Sequence, residues 1–256
     1  MHKARYWESA ETAVRCNLCP HFCLISPGRT GRCRVRLNEA GELFSQNYGE
    51  VTSIALDPIE KKPLYHFFPG QMILSVGTWG CNLHCQFCQN WEIAHGDPAF
   101  AAISPEKLAE LAEEQGPLNI GVAFTYSEPV VWFEYVCDAA AAVKKRGLKN
   151  VLVTNGFINP EPLAELLPLI DAMNIDVKAF RAPFYQDICA GELEAVKRTV
   201  ETAAGHCHVE VTTLVIPGLN DGDDEIVALA RWLANIDPEI PLHLSRYFPR
   251  YQFELP

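Results

Sequence analysis

Cys81-Asn-Leu-His-Cys85-Gln-Phe-Cys88 puts three cysteines within eight residues, and the cysteines on either side, Cys33 and Cys137, are far off in the chain. A structural zinc or a closed electron-transfer [4Fe–4S] cluster takes four protein ligands. A loop with three thiolates therefore leaves one metal position open, and an open iron can bind a small molecule directly. Residues 72–76, Met-Ile-Leu-Ser-Val, form an apolar run of the kind that makes a buried strand, and they feed straight into this loop.

A strand followed by a polar loop and then a helix is the repeating unit from residue 71 onward. Strands are expected at 72–76, 120–124, 150–153, 173–177, 209–216 and 241–244. Ser104-Pro-Glu opens a helix with an N-cap serine and a first-turn proline, followed by Leu108, Leu111 and Ala112 at helical spacing. Residues 130–146 read as a helix that is apolar nearly all round and closed by Gly147. Asn159-Pro160 starts a third; Leu193, Val196 and Val200 stripe a fourth, and Ile226, Leu229, Ala230 and Leu233 a fifth. Such alternation gives right-handed βαβ units and a parallel sheet. Six units are too few for the usual eight-stranded barrel, so the expected fold is α/β, an open partial (β/α)6 barrel, with a doubly wound sheet as the alternative. The sequence has no internal repeat and no low-complexity tract.

The first 70 residues have a different texture. Cys16-x2-Cys19-x3-Cys23-x9-Cys33 offers four thiolates, and Pro20, Gly28 and Gly31 are the turn-formers that let thiolates converge. Four sulfurs close a site, so this one is expected to be structural or electron-relaying; zinc and a second iron–sulfur cluster both fit. Residues 42–48 and 51–56 read as short extended segments joined at Gly49. Asp57-Pro-Ile-Glu-Lys-Lys-Pro-Leu-Tyr-His66 reads as an irregular connector, since proline is excluded from central strands. The expected organisation is a small N-terminal cysteine-rich metal-binding appendage and connector over 1–70, then the barrel over 71–256.

Composition narrows the partners. A net charge of −11 over 256 residues lacks the basic footprint that a phosphate-backbone binder needs, so no nucleic acid is expected. No stretch reaches the length of a membrane span, and the first eleven residues have no secretory core. Ten cysteines without such a signal point to a reducing compartment and metal chemistry, hence a cytoplasmic location.

The polar clusters share one position: each follows a predicted strand. The cysteine loop follows the first, Thr125-Tyr-Ser-Glu128-Pro the second, and Thr154-Asn155-Gly156 the third. Asp176-Val-Lys178 closes the fourth, Pro217-Gly-Leu-Asn-Asp221 follows the fifth, and His243 to Arg246 ends the sixth. In parallel barrels the carboxyl ends of the strands form one rim, and that rim carries the active site.

The C-x3-C-x2-C spacing, with an aromatic before the last cysteine, resembles the signature of the radical S-adenosylmethionine (SAM) enzymes. The resemblance implies a [4Fe–4S] cluster on Cys81, Cys85 and Cys88, with SAM chelating the open iron through its amino and carboxylate groups. Glu128 matches the place where the family holds the methionine amine, and a carboxylate accepts charge-assisted hydrogen bonds from an ammonium. Asp176-Val-Lys178 is similar to the Asp-x-Lys element of glycyl-radical-enzyme activases, with Lys178 placed to pair with the methionine carboxylate. As i and i+2 residues on a strand, the two point the same way. His243 stands where those activases place another SAM-contacting histidine, Phe87 where the family stacks an aromatic on adenine, and Asn155 is assigned to the ribose or backbone of the cofactor.

A closer resemblance covers nearly the whole chain. The Cys16-x2-Cys19-Pro run, the 57–66 connector, Cys88-Gln-Asn-Trp91, Thr154-Asn-Gly, Val211-Thr-Thr-Leu-Val-Ile-Pro-Gly-Leu-Asn-Asp221 and His243-Leu-Ser-Arg246 resemble the AmmeMemoRadiSam-system radical SAM enzymes. That family is related to pyruvate formate-lyase activating enzymes, and its name makes Memo-like and AMMECR-type proteins candidate partners. The implied activity is reductive cleavage of SAM to methionine and a 5′-deoxyadenosyl radical that abstracts a substrate hydrogen, activase-like on a polypeptide, with flavodoxin or ferredoxin as electron donor. The alternative is a non-catalytic iron–sulfur electron carrier or scaffold. Two departures stand out: Ser127 replaces the asparagine of a Tyr-Asn-Glu-Pro turn, and the chain stops at Pro256 with no helix expected after the sixth strand, so it reads as a C-terminally shortened member.

Overall fold

The computed structural model describes residues 1–253. Seven strands form its main sheet: β1 (Ser53–Pro58), β2 (Met72–Gly77), β3 (Asn119–Phe124), β4 (Lys149–Thr154), β5 (Ala172–Asp176), β6 (His208–Val215) and β7 (Leu242–Arg246). They lie side by side in chain order, with β2 to β7 all parallel and β1 antiparallel to β2 at one edge. A doubly wound sheet reverses its strand order at a switch point. This sheet never reverses, which is the order of an open barrel.

Five helices fill the crossovers: α1 (Pro105–Glu114), α2 (Phe133–Lys145), α3 (Pro160–Leu166), α4 (Leu193–Ala204) and α5 (Asp223–Ile236). Ser104 caps α1, its Oγ accepting from Lys107 N at 3.2 Å. Helix α2 starts at Phe133, later than its apolar pattern suggests, because Pro129–Trp132 first forms a 3₁₀ turn. Asn159 stands at the head of α3, but its amide donates to the Asn17 carbonyl at 2.7 Å and so tethers the N-terminal segment instead of capping.

Strand periodicity separates two cores. Leu74, Val122, Phe124, Leu152, Ile175 and Val211 face outward and pack with the helices, including Val136, Ala140, Val196 and Val200. The alternate residues face the barrel interior, where Ile73, Ala123, Val151 and Ala172 cluster with Ile59 and Leu64 of the connector. The connector therefore floors the barrel. The segment expected to be extended at 51–56 supplies most of the edge strand β1, which also takes in Asp57 and Pro58, the start of the connector expected to be irregular. Pro58 is tolerated there because an edge position needs no ladder N–H on its open side.

Ahead of β1, two three-stranded antiparallel sheets form, from His2–Lys3, Glu42–Ser45 and Arg36–Glu39, and from Trp7–Ala10, Ala13–Cys16 and Leu24–Ile25. They pack on the head of α2. Arg5 N and Arg36 Nη1 both donate to Glu134 Oε1, at 2.8 and 2.7 Å, and Trp132 Nε1 donates to Asn47 O at 2.7 Å. Val14, Ile25 and Leu43 share one apolar cluster with Phe124 and Trp132. Among the described residues no helix is long and apolar enough to cross a membrane.

Candidate active site

The carboxyl ends of β2 to β7 surround a cavity of about 400 Å³. Cys81, Cys85 and Cys88 line it, together with Phe87 from the same loop, Glu128 after β3, Asn155 after β4, Asp176 at the end of β5 and Lys178 just beyond it. Eight of the nine side chains that the sequence assigns to cluster and cofactor thus meet in one place. The ninth, His243, does not.

The cysteine loop is fixed by the fold around it. Asn82 Nδ2 donates to Phe157 O at 2.7 Å, and Asn155 Nδ2 donates to Asn82 Oδ1 at 2.9 Å. On the other side His84 N and Gln86 N donate to the carbonyls of Cys189 and Ile188, at 2.8 and 3.1 Å. Cys81 Sγ accepts from Leu83 N at 3.4 Å and from Asn155 Nδ2 at 3.7 Å. Such donors stabilise a thiolate. Burial raises the Cys81 thiol well above its ordinary value, and the Cys189 thiol hydrogen-bonded to Cys85, together with burial, does the same there. A buried thiol of this kind stays protonated until a metal cation displaces its proton. The donor set and its N–H partners fit an iron–sulfur cluster.

Glu128 is buried and holds two strand ends together. Its Oε1 accepts from Thr154 Oγ1 at 2.6 Å and Val130 N at 3.0 Å, and Oε2 accepts from Asn155 N at 2.8 Å. Burial pushes its carboxyl up to about 7 despite those donors and the nearby Lys178 charge. Lys178 Nζ donates to Asp176 Oδ2 at 2.7 Å. Burial opposes the Lys178 charge, but Asp176 together with the Cys85 and Cys189 thiols holds the ammonium above its ordinary range. Phe87 is buried, with ring centroids 5.9 Å from Phe184 and 6.0 Å from Phe253.

His243, which the sequence assigns to the cofactor, lies away from the other eight. It faces the barrel interior below the cavity, where its Nε2 lies 2.6 Å from Oε2 of the buried Glu210. His208 Nε2 lies 2.9 Å from Oε1 of the same carboxylate, and Tyr65 N and His66 N of the connector donate to it at 3.0 and 2.8 Å. A buried carboxylate recruits every donor within reach, so His243 is spent on the barrel floor.

The second cysteine set also converges. Cys16, Cys19, Cys23 and Cys33 line one small cavity together with Arg36 and Asn82. Among the described residues no three His, Cys, Asp or Glu side chains stand at the spacing of a single bare ion, in either cysteine set. Three residues escaped sequence reasoning. Tyr126 lines the active cavity in a left-handed conformation (φ +68°), its hydroxyl donating to Asp57 Oδ2 at 2.9 Å. Its place in the Tyr-Ser-Glu-Pro turn was the available signal. Cys189 and Arg36 reach their sites only through tertiary packing and left none.

Residues 76–233 match the radical SAM superfamily, and the chain belongs to that superfamily. An uncharacterised protein of Methanocaldococcus jannaschii is 39% identical over 258 residues, covering 98% of this chain and 76% of that protein. Pyruvate formate-lyase 1-activating enzyme of Escherichia coli is 27% identical over 177 residues, covering 66% of this chain and 71% of that enzyme. Among solved structures, Streptococcus suis SuiB bound to S-adenosylmethionine superposes with a TM-score of 0.54 at 14% identity, over 68% of this chain and 40% of that one, a likeness of fold alone. The protein is thus an enzyme of a superfamily that works with a [4Fe–4S] cluster and SAM, and the non-catalytic alternative falls away.

Proposed function

We propose that Cys81, Cys85 and Cys88 hold the [4Fe–4S] cluster and leave its remaining iron to SAM. With both groups bound, the chemistry supplied is one-electron cleavage of SAM to methionine and a 5′-deoxyadenosyl radical that takes a hydrogen atom from the substrate. The protein's share is binding and orientation in the cavity at the barrel rim. Glu128 accepts from the methionine ammonium, Lys178, oriented by Asp176, donates to its carboxylate, Phe87 offers an apolar face toward adenine, and Asn155 serves the ribose end while donating to Cys81 Sγ. The observation that supports this most is the meeting of three thiols, a buried carboxylate and a partly buried ammonium around one cavity.

The likeness to an enzyme named for activating pyruvate formate-lyase supports a polypeptide substrate and a small redox protein such as flavodoxin or ferredoxin as donor. The motif resemblance supports membership of the AmmeMemoRadiSam system, with Memo-like and AMMECR-type proteins as partners in the cytoplasm. We also read Cys16, Cys19, Cys23 and Cys33 as ligands of a second metal site, zinc or a second iron–sulfur cluster. Anaerobic reconstitution with iron and sulfide, followed by dithionite and SAM, tests the main proposal: 5′-deoxyadenosine and methionine form together in the wild type and neither forms in Cys85→Ala. A wild-type protein with a full cluster that leaves SAM intact refutes it.

A further inference from the structure

Arg36 is wholly buried, and most of its donor capacity is unspent. Nη1 donates to Glu134 Oε1 at 2.7 Å, whereas Nε and Nη2 have no partner. A buried donor without an acceptor is costly; Glu134 Oε2 is itself buried without a partner and can match one of the two, which leaves at least one donor for an acceptor that the cavity supplies. The cavity that Arg36 lines is walled by the four N-terminal cysteines. Four thiolates around an oxidised [4Fe–4S] core, or drawn closer together than they stand here around Zn²⁺, make a dianion in either case, and a buried dianion requires a counter-charge with N–H donors.

We propose that Arg36 is the positioning residue of a tetrathiolate metal centre on Cys16, Cys19, Cys23 and Cys33, at least one of its free N–H groups donating to thiolate sulfur and its charge offsetting the dianion. This rests on the second metal site proposed above. The centre also braces the three-cysteine loop. A Cβ on Gly80, which sits at φ +90°, would lie 2.8 Å from Cys33 O and 2.6 Å from Val35 Cγ1, so only glycine lets the two cysteine segments meet this closely. His21 Nε2, between Cys19 and Cys23, lies 2.7 Å from Asn82 O, next to Cys81.

The test removes the catalytic ligands first. A Cys81→Ala/Cys85→Ala/Cys88→Ala variant, purified and reconstituted anaerobically, is analysed for iron and zinc; about four irons or about one zinc per chain supports the site and identifies its metal, and neither metal overturns it. In that background Arg36→Met/Glu134→Met replaces the buried ion pair by apolar side chains of similar volume, a change that folds often tolerate. With far-UV circular dichroism unchanged, chelator competition is expected to show metal held at least about tenfold more weakly. Arg36→Lys keeps the charge without the fork and is expected to fall between. Undiminished retention in Arg36→Lys and in the double variant would mean that Arg36 serves Glu134 alone, overturning this inference while leaving the metal site standing.

Discussion

Replacing Glu210 by Gln should cost the barrel roughly 3 kcal/mol without touching SAM. The carboxylate is inaccessible to solvent and accepts from two histidines and two backbone amides. Burial alone would raise its carboxyl; the four donors outweigh it and lower it to about 2. At ~1.4 kcal/mol per pH unit, the gap from an ordinary carboxylate near 4.5 amounts to roughly 3 kcal/mol. The sign follows from a depressed pKa. The stabilisation is fully present above pH ~4.5 and is lost as pH falls toward 2, leaving roughly half of it at pH 3. Gln keeps the shape, so the loss is electrostatic and not a cavity. Urea unfolding of the metal-free protein, followed by circular dichroism at pH 7 and pH 3, measures both numbers. A difference below about 1 kcal/mol at pH 7, or one that does not shrink at pH 3, refutes the assignment of Glu210 as the anchor that ties connector, β6 and β7 together.

Cys81→Ala, Cys85→Ala and Cys88→Ala should each abolish SAM cleavage and the SAM-responsive paramagnetic signal, while Cys137→Ala and Cys207→Ala change neither. Glu128→Ala and Lys178→Ala should keep the iron content but weaken SAM binding by one to two decades, the range of about 1.5–3 kcal/mol for a charged hydrogen bond, as read by equilibrium dialysis; loss of iron would make them structural. Gly80→Ala, with its Cβ driven onto Cys33 O, should lower stability by about 1–3 kcal/mol in the same urea experiment. His243→Ala should lower stability and leave SAM affinity unchanged; a tenfold loss of affinity would return it to the cofactor site.

The fold was legible because periodicity survives translation into packing. The six parallel strands and their helices stand where apolar runs and caps put them, and chain-order pairing follows from short joins. The rim was legible because parallel strands all end on one side, so the clusters after β2, β3, β4 and β5 meet at one cavity with Ser245 and Arg246 of β7, while residues 217–221 stay outside its lining. The connector was harder to place, since Pro58 argues against a strand and only the open edge of β2 makes one possible. His243 turns away from the cavity for a physical reason. Its pattern at the end of β7 fits the rim, but which way it turns depends on Glu210, a buried acid two residues into β6 that reads locally as one polar residue in an apolar run. Arg36 was invisible on the same grounds: nothing near it in sequence names Glu134, 98 residues away, or the thiols it faces.

The central claim is that three cysteines, and no fourth side chain, hold the cluster on Cys81, Cys85 and Cys88, leaving one iron for SAM. Electron–nuclear double resonance on the photoreduced cluster, with SAM labelled with ¹⁵N at its methionine amine, tests it directly. The account predicts a ¹⁵N hyperfine coupling from that nitrogen large enough to require a bond to iron, replaced by the corresponding ¹⁴N pattern when unlabelled SAM is used. A fully loaded, reduced cluster whose signal shows no coupling to the labelled amine, in the presence of saturating SAM, would contradict it.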